Sequence, residues 1–181
     1  TPWRYPPLRH GSRYGRRSEP SLFYGSLSLT TLLAEVAYYR LLFRAGMVQP
    51  ATAIYRTQHT QFSASYRTEQ GLSLQRPPFD RYRDWLISPD DYSATQPLGS
   101  RLRAAQVMAF EYPSARDRAG GINIALFEPG ALAVERPLEQ EEWLCETSDQ
   151  QVLFRSRSQP QPIIHHRDAF TVAGVLPAPA S

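Results

Sequence analysis

The sequence contains no lysine, so all 20 of its basic residues are arginine. Against 17 acidic residues they leave a formal net charge of only +3 at pH 7, and no recognised nucleic-acid-binding module accompanies them. The tract Arg13–Arg17 is the densest basic stretch. The arginine bias therefore indicates a GC-rich genome more than a nucleic-acid surface.

Cysteine and long apolar runs are also scarce. Cys145 is the single cysteine, which excludes an intrachain disulfide framework and fits a reducing compartment. We interpret it as a small buried hydrophobic residue. No run approaches the ~18 apolar residues of a membrane span, and no basic-then-apolar leader is present. We expect a cytoplasmic protein without a membrane partner.

Two common kinds of ligand motif are missing. No G-x-G-x-x-G or G-x-x-x-x-G-K pattern occurs, so a nucleotide would not be held in a Rossmann crevice or a P-loop. His165 and His166 are adjacent and therefore point in different directions, and no Cys or carboxylate spacing supports a zinc site. We predict that the protein binds no metal.

The chain of 181 residues is long enough for one domain that buries about 70% of its unfolded surface. Apolar and β-branched runs predict strands, and 3.6-residue periodicity predicts helices. We predict an α+β fold, a single domain with a mixed or antiparallel sheet and flanking helices, and no βαβ repetition. The predicted strands are residues 22–24, 51–67, 107–112, 122–127, 142–145 and 152–155. Three helical regions are predicted: one that begins at Ser28, one over residues 79–86, and an irregular one over residues 90–105 that Pro97 interrupts. Residues 1–8 are expected to form an arm, 9–157 the domain, and 158–181 a proline-rich tail.

Three unlike functional groups occur at a regular spacing. Tyr24 follows Arg13 by eleven positions, and Glu35 follows Tyr24 by eleven more. A loop carries the arginine, a short apolar strand carries the tyrosine, and a helix opened by Ser28 carries the glutamate. Three successive elements therefore supply a cation, an aromatic ring and a carboxylate.

The helix after Ser28 is predicted to be amphipathic, with Glu35 on the flank of its apolar stripe. No arginine lies three or four residues from Glu35, so a cleft, hydrogen bonds or a distant base must solvate the carboxylate. The ordinary interpretation is a solvated glutamate at the helix edge, and only the company of Arg13 and Tyr24 favours a functional one. The stripe comprises Leu29, Leu32, Leu33, Val36, Tyr39 and Phe43.

These motifs resemble the RES domain, named for its arginine, glutamate and serine. The likeness consists of G-x-R at residues 11–13, a strand ending in Tyr24, and Ala-Glu at 34–35. A third motif, Tyr112–Arg116 followed by Gly120–Asn123, places the family serine at Ser114. The resemblance covers roughly residues 9–154, with Arg13 as the family arginine and Arg16 or Arg17 as alternatives.

The resemblance implies a bacterial toxin of an Xre–RES type II toxin–antitoxin pair, with a fold similar to ADP-ribosyltransferases and NAD as its substrate. Glu35 would stabilise the cation that develops when the nicotinamide–ribose bond breaks. Arg13 would bind the diphosphate, Tyr24 the nicotinamide ring, and Ser114 would be a hydrogen-bonding contact in the catalytic set. No base beside Ser114 is identified, so we do not interpret it as a nucleophile.

The same resemblance implies a cognate Xre-like helix-turn-helix antitoxin, through which alone the toxin would touch DNA. A protein target of ADP-ribosylation and homo-oligomerisation within the antitoxin complex are further expectations from the resemblance. A basic entrance of Arg13, Arg16 and Arg17 would favour an acidic antitoxin segment. ADP-ribosyl transfer, NAD hydrolysis and phosphorolysis all stay open, as does a non-catalytic protein of the same fold that engages a partner.

Overall fold

The structure is a computed structural model that describes residue 3, residues 11–48 and residues 53–179. The chain divides into two compact units. The first contains the described parts of residues 1–32, 66–133 and 178–181, and the second those of residues 33–65 and 134–177. In chain order the elements are β1 (Phe23–Ser26), α1 (Leu29–Ala45), β2 (Tyr55–Ser63), β3 (Gly71–Ser73), α2 (Arg83–Leu86), α3 (Thr95–Ala104), β4 (Ala109–Pro113), β5 (Ile122–Leu126), β6 (Glu139–Thr147), β7 (Gln151–Ser156) and β8 (Ile163–His166).

The first unit is built on a four-stranded sheet in the order β1-β5-β4-β3. The β1–β5 and β4–β5 pairs are antiparallel, whereas β3 runs parallel to β4 and is joined to it by a crossover that contains α2 and α3. Phe110 and Tyr112 of β4 pack with Tyr14, Leu86 and Leu102 in one buried cluster. A second cluster contains Ala109, Ile124, Leu126 and Ala131. The alternation along β4 thus covers both faces of the sheet.

The second unit has its own antiparallel sheet, in the order β2-β6-β7-β8. Trp143, Val152 and Phe154 fill its interior. On α1, the hydroxyl of Tyr38 donates a 2.6 Å hydrogen bond to the carbonyl oxygen of Pro177. The second unit therefore has a buried core of its own.

The structure confirms the α+β prediction: the described residues form two mostly antiparallel sheets and three α-helices. The strand predicted over residues 51–67 is β2, and residues 51–52 lie outside the described residues. Pro97 was predicted to interrupt a helical region, and this prediction was wrong. Pro97 lies in the first turn of α3, where the backbone N–H groups have no helical acceptor and proline is tolerated.

Helix α1 begins as predicted but buries a different stripe. The Ser28 hydroxyl accepts a 3.2 Å hydrogen bond from the Thr31 N–H and caps the helix. Tyr39 and Phe43, predicted to face the core, are 45% and 52% exposed. The buried apolar residues are Leu33, which was predicted, and Ala34, Ala37, Tyr38 and Leu41, which were not. Alanine side chains are small and suit a closely packed helix face. A stripe defined only by large apolar residues leaves these alanines out.

The predicted arm and tail contain some ordered contacts. From residues 1–8 the structure describes Trp3, whose indole N–H donates to the carbonyl oxygen of Leu126 at 3.4 Å. Within residues 158–181, strand β8 pairs with β7, and Phe170 is buried. The division at residues 8 and 157 stays a prediction.

In the parts of the chain that the structure describes, every helix is too short or too polar to cross a lipid bilayer.

Gly99 on α3 lies directly against the backbone of Tyr14. A Cβ atom at residue 99 would be 1.8 Å from the Tyr14 carbonyl oxygen, and this obstacle cannot rotate away as a side chain can. We expect Gly99→Ala to lower the free energy of unfolding by about 3 kcal/mol, measured by urea denaturation. Gly46→Ala is the matched control, because its Cβ would meet only atoms 3.6 Å away. Equal stability of the two variants would contradict this packing.

Candidate active site

The Arg13 motif forms a tight turn in the first unit. The Ser12 N–H donates to the Gly15 carbonyl oxygen at 2.8 Å and closes the turn. Gly11 has a φ of +71°, and a Cβ there would lie 2.4 Å from the same oxygen. The glycine of G-x-R is therefore required by the backbone, and the turn directs both Arg13 and Tyr14 inward, leaving them 8% and 0% exposed.

Arg13 donates hydrogen bonds to backbone carbonyl groups at the end of α2. Its Nη1 atom lies 3.1 Å from the oxygen of Leu86 and 2.8 Å from that of Ser88. The carbon at the centre of its guanidinium lies 4.8 Å from the ring centroid of Tyr92. Among the described residues, no carboxylate forms an ion pair with Arg13. In the described part of the chain, the groups that contact this buried positive charge are thus neutral.

Tyr24, on β1, supports the same turn through its hydroxyl. The hydroxyl oxygen lies 2.8 Å from Ser12 Oγ and accepts a 3.2 Å hydrogen bond from the Tyr14 N–H. Burial raises the pKa of Tyr24 to about 12, although the Ser12 contact and the nearby Arg13 charge act in the opposite direction. The phenol is therefore neutral at physiological pH, and its half-buried ring stays fixed beside the arginine turn.

Ser114, 3% exposed, follows β4 and shapes the loop of the third motif. Its Oγ atom accepts hydrogen bonds of 3.0 Å from the N–H groups of Arg116 and Asp117, and its own N–H donates to Gly121 at 2.8 Å. Arg116, 6% exposed, donates through Nη2 to the carbonyl oxygen of Pro89. Two buried arginines from distant motifs therefore bind carbonyl groups of the segment 86–89.

The start of α1 is tied to the third motif within the first unit. The Thr31 hydroxyl donates to a carboxylate oxygen of Asp117 at 2.9 Å, and it lies 2.7 Å from Ser28 Oγ. A Cβ on Gly121 would approach Thr31 Oγ1 to 2.0 Å and Asp117 Oδ2 to 2.3 Å. Gly121 is consequently required for this close approach, which explains the second glycine of the Gly120-Gly121 pair.

The structure brings three of the four predicted residues into the first unit. Tyr24 contacts Ser12, which lies next to Arg13 in the turn, and Arg13 binds the carbonyl group of Ser88. Ser114 accepts a hydrogen bond from the N–H of Arg116, whose side chain binds the neighbouring Pro89. Glu35 is half-buried on the part of α1 that belongs to the second unit. Its proposed participation therefore depends on the sequence motif.

The alternative arginines have a different environment. Arg16 and Arg17 are exposed and line an open depression of about 690 Å³ in the first unit, whereas Arg13 does not line it. The remaining lining residues are Ser18, Ser93, Gln96 and Pro97. Of the basic entrance predicted from the sequence, these two arginines form the exposed part.

Sequence reasoning missed Tyr92 and Arg116 as parts of the arginine environment. Arg116 follows Ser114 within the third motif and could have been noticed, but nothing in the sequence marks Tyr92. Among the described residues, no group of three or more His, Cys, Asp and Glu side chains is placed to hold a metal ion.

The family model of the RES domain matches residues 1–148. The chain therefore belongs to the RES domain family, which is characteristic of the toxins of toxin–antitoxin systems and is associated generally with NAD-related activity. Proteins of this family pair with antitoxins. No curated protein matches the chain.

Alkaline pH should destabilise the protein through its buried phenols. Because lysine is absent, tyrosines and Cys145 are the side chains that ordinarily titrate between about pH 8 and 12. Burial also raises the pKa of Tyr66 to about 12, where Glu111 acts in the same direction, and raises that of Tyr14 further. The unfolded chain loses these protons near pH 10 while the folded chain keeps them, so the free energy of unfolding falls as pH rises from about 10 to 12.

Tyr24→Phe should reduce that slope by at most about 1.4 kcal/mol per pH unit, measured by urea denaturation at pH 8, 10 and 11. Tyr82→Phe, which removes an exposed phenol, is the matched control. A slope in Tyr24→Phe identical to that of the wild type would show that the Tyr24 phenol does not contribute.

Proposed function

We propose that this RES protein is a toxin that cleaves the bond between nicotinamide and ribose in NAD. The observation that carries the proposal is the Arg13 guanidinium, buried and held in one orientation without a carboxylate among the described residues. A buried cation is costly unless an anion or several hydrogen bonds compensate for it. A diphosphate supplies such an anion, and it suits the planar donor geometry of arginine.

The other first-unit residues have roles that fit this ligand. The Tyr24 hydroxyl is engaged by the arginine turn, so the part of Tyr24 that we assign to nicotinamide is its ring. We assign Ser114 to the same cleft as a hydrogen-bonding contact, and its hydroxyl also holds the backbone of the third motif. Glu35 completes the set on the ground of the family motif.

The proposed reaction breaks the ribose C1′–nicotinamide N1 bond, and the bonding electron pair leaves with neutral nicotinamide. The oxocarbenium-like ribose that remains is stabilised by the Glu35 carboxylate. A nucleophile then bonds to C1′ and gives up its proton. This nucleophile is a side chain of a target protein in ADP-ribosyl transfer, water in hydrolysis, or inorganic phosphate in phosphorolysis. Nicotinamide release with and without phosphate, and labelled NAD in lysate, distinguish these three reactions.

Glu35→Gln removes the proposed cation-stabilising charge while keeping the side-chain shape. We expect the variant to fold and bind NAD, but to release nicotinamide at least about 100-fold more slowly than wild type. Glu128→Gln, at an exposed position of the first unit, is the matched control. Unchanged turnover in folded Glu35→Gln would remove Glu35 from the mechanism. Absence of nicotinamide release and NAD binding in the wild type would favour a non-catalytic binding protein.

Arg13→Ala should act mainly on binding, because the proposed contact to the diphosphate exists before the reaction. We expect an increase in KM for NAD of about tenfold or more, measured as nicotinamide release at varied NAD concentration. Arg16→Ala and Arg17→Ala are the matched tests of the alternative assignment. A larger increase in either variant than in Arg13→Ala would show that the functional arginine is the exposed one.

We further propose that the cognate antitoxin carries an Xre-like helix-turn-helix domain and covers the depression with an acidic segment. The charge of Arg16 and Arg17 and the openness of this surface support an acidic partner. Arg16 and Arg17 directly follow the turn of residues 12–15 that carries Arg13, and we propose that a segment bound to them inhibits the toxin.

Co-expression of the adjacent gene product should rescue growth, co-purify with this chain and block nicotinamide release. Arg16→Glu/Arg17→Glu should weaken co-purification at least about tenfold, because it places like charges together. Arg155→Glu/Arg157→Glu, which changes the charge equally on exposed residues of the second unit, is the matched control. A purified complex that cleaves NAD as fast as the free protein would contradict cleft blocking.

A further inference from the structure

Tyr92 contacts the arginine proposed to bind NAD, although nothing in the family motifs identifies it. Its ring centroid lies 4.8 Å from the central guanidinium carbon of Arg13, and the residue is 6% exposed. An aromatic face attracts a guanidinium, and this attraction strengthens when water is excluded. The ring therefore forms one wall of the Arg13 environment.

The chain leading to Tyr92 restrains the same guanidinium. Leu86 and Ser88 accept the two hydrogen bonds from Arg13 Nη1. Pro89, between them and Tyr92, accepts the hydrogen bond from Arg116. Hydrogen bonds from two buried arginines thus hold residues 86–89, which directly precede Tyr92 in the chain.

The aromatic ring, rather than the hydroxyl, accounts for this contact. Within the described part of the chain the buried Tyr92 hydroxyl has no hydrogen-bond partner. A buried hydroxyl without a hydrogen-bond partner destabilises the folded state. Phenylalanine would provide the same aromatic face without the hydroxyl. Substitution by phenylalanine therefore separates the effect of the ring from that of the hydroxyl.

We propose that Tyr92 is a positioning residue that sets the plane of the Arg13 guanidinium for the diphosphate of NAD; this inference rests on the proposed function. A guanidinium donates its hydrogen bonds in its own plane, so its orientation decides where phosphate oxygens can bind. With Nη1 engaged by the carbonyl groups and one face covered by Tyr92, Nε and Nη2 keep a defined direction. Loss of the ring would leave the charge and the two Nη1 hydrogen bonds in place but remove the contact that supports one face of the guanidinium plane.

The test compares Tyr92→Phe with Tyr92→Leu in nicotinamide release at varied NAD concentration. Tyr92→Phe should keep KM within about twofold of wild type, whereas Tyr92→Leu should raise it about tenfold, with kcat changed less. Phe127→Leu is the matched control, because it removes a buried ring of the same unit that lies 4.5 Å from the guanidinium carbon of Arg103. We expect Phe127→Leu to lower stability without changing KM.

A double-mutant cycle distinguishes positioning from a general loss of structure. If Tyr92 acts through Arg13, Arg13→Ala/Tyr92→Leu should have the same KM as Arg13→Ala. An equal increase from Tyr92→Leu with and without Arg13 would overturn the inference, as would a wild-type KM in folded Tyr92→Leu. Tyr92→Met, whose unbranched side chain adapts more readily to the space of the ring, replaces Tyr92→Leu if the latter does not fold.

The two levels of proposal fail differently. A wild-type protein that neither binds NAD in calorimetry nor releases nicotinamide overturns the proposed function and this inference with it. An active wild type with no KM effect at Tyr92 overturns the positioning role alone.

Discussion

Burying the guanidinium of Arg13 requires acceptors for its N–H groups, because an unsatisfied buried cation strongly disfavours folding. The acceptors are the carbonyl oxygens of Leu86 and Ser88, which become available where α2 ends. A short helix, its C-terminal segment and the arginine turn are thereby joined into one arrangement. The direction of the guanidinium, and with it the proposed diphosphate contact, depends on this arrangement.

Two hydroxyl groups hold the loops that carry the buried arginines. Tyr24 accepts the Tyr14 N–H beside Arg13, and Ser114 accepts two N–H groups at the start of the third motif. Both residues, assigned to the ligand by resemblance, therefore also determine backbone geometry. Holding the backbone and the proposed contact with a substrate are two separate requirements on each of these side chains. The two loops meet at the segment 86–89, where Arg13 binds the carbonyl groups of Leu86 and Ser88 and Arg116 binds that of Pro89.

Much of the fold could be predicted from local patterns. The Ser28 cap, the short strand at Tyr24 and the alternating strands were recognisable because each signal lies within a few residues. The buried stripe of α1 differs from the predicted one. Two small residues, Ala34 and Ala37, lie on the buried face, whereas Tyr39 and Phe43 are exposed. The partition of strands between two sheets could not be predicted, since strand pairing depends on long-range contacts.

The sequence by itself determined the order and spacing of Arg13, Tyr24, Glu35 and Ser114, and these sufficed to indicate the RES family. Such motifs are encoded by residue type and separation, so they need no coordinates. Only the tertiary structure decided that Arg13 is buried while Arg16 and Arg17 are exposed, and that Tyr92 covers one face of the guanidinium. The physical reason is distance along the chain: the acceptors of Arg13 lie 73 and 75 residues away, and chain folding alone brings them to hydrogen-bond distance.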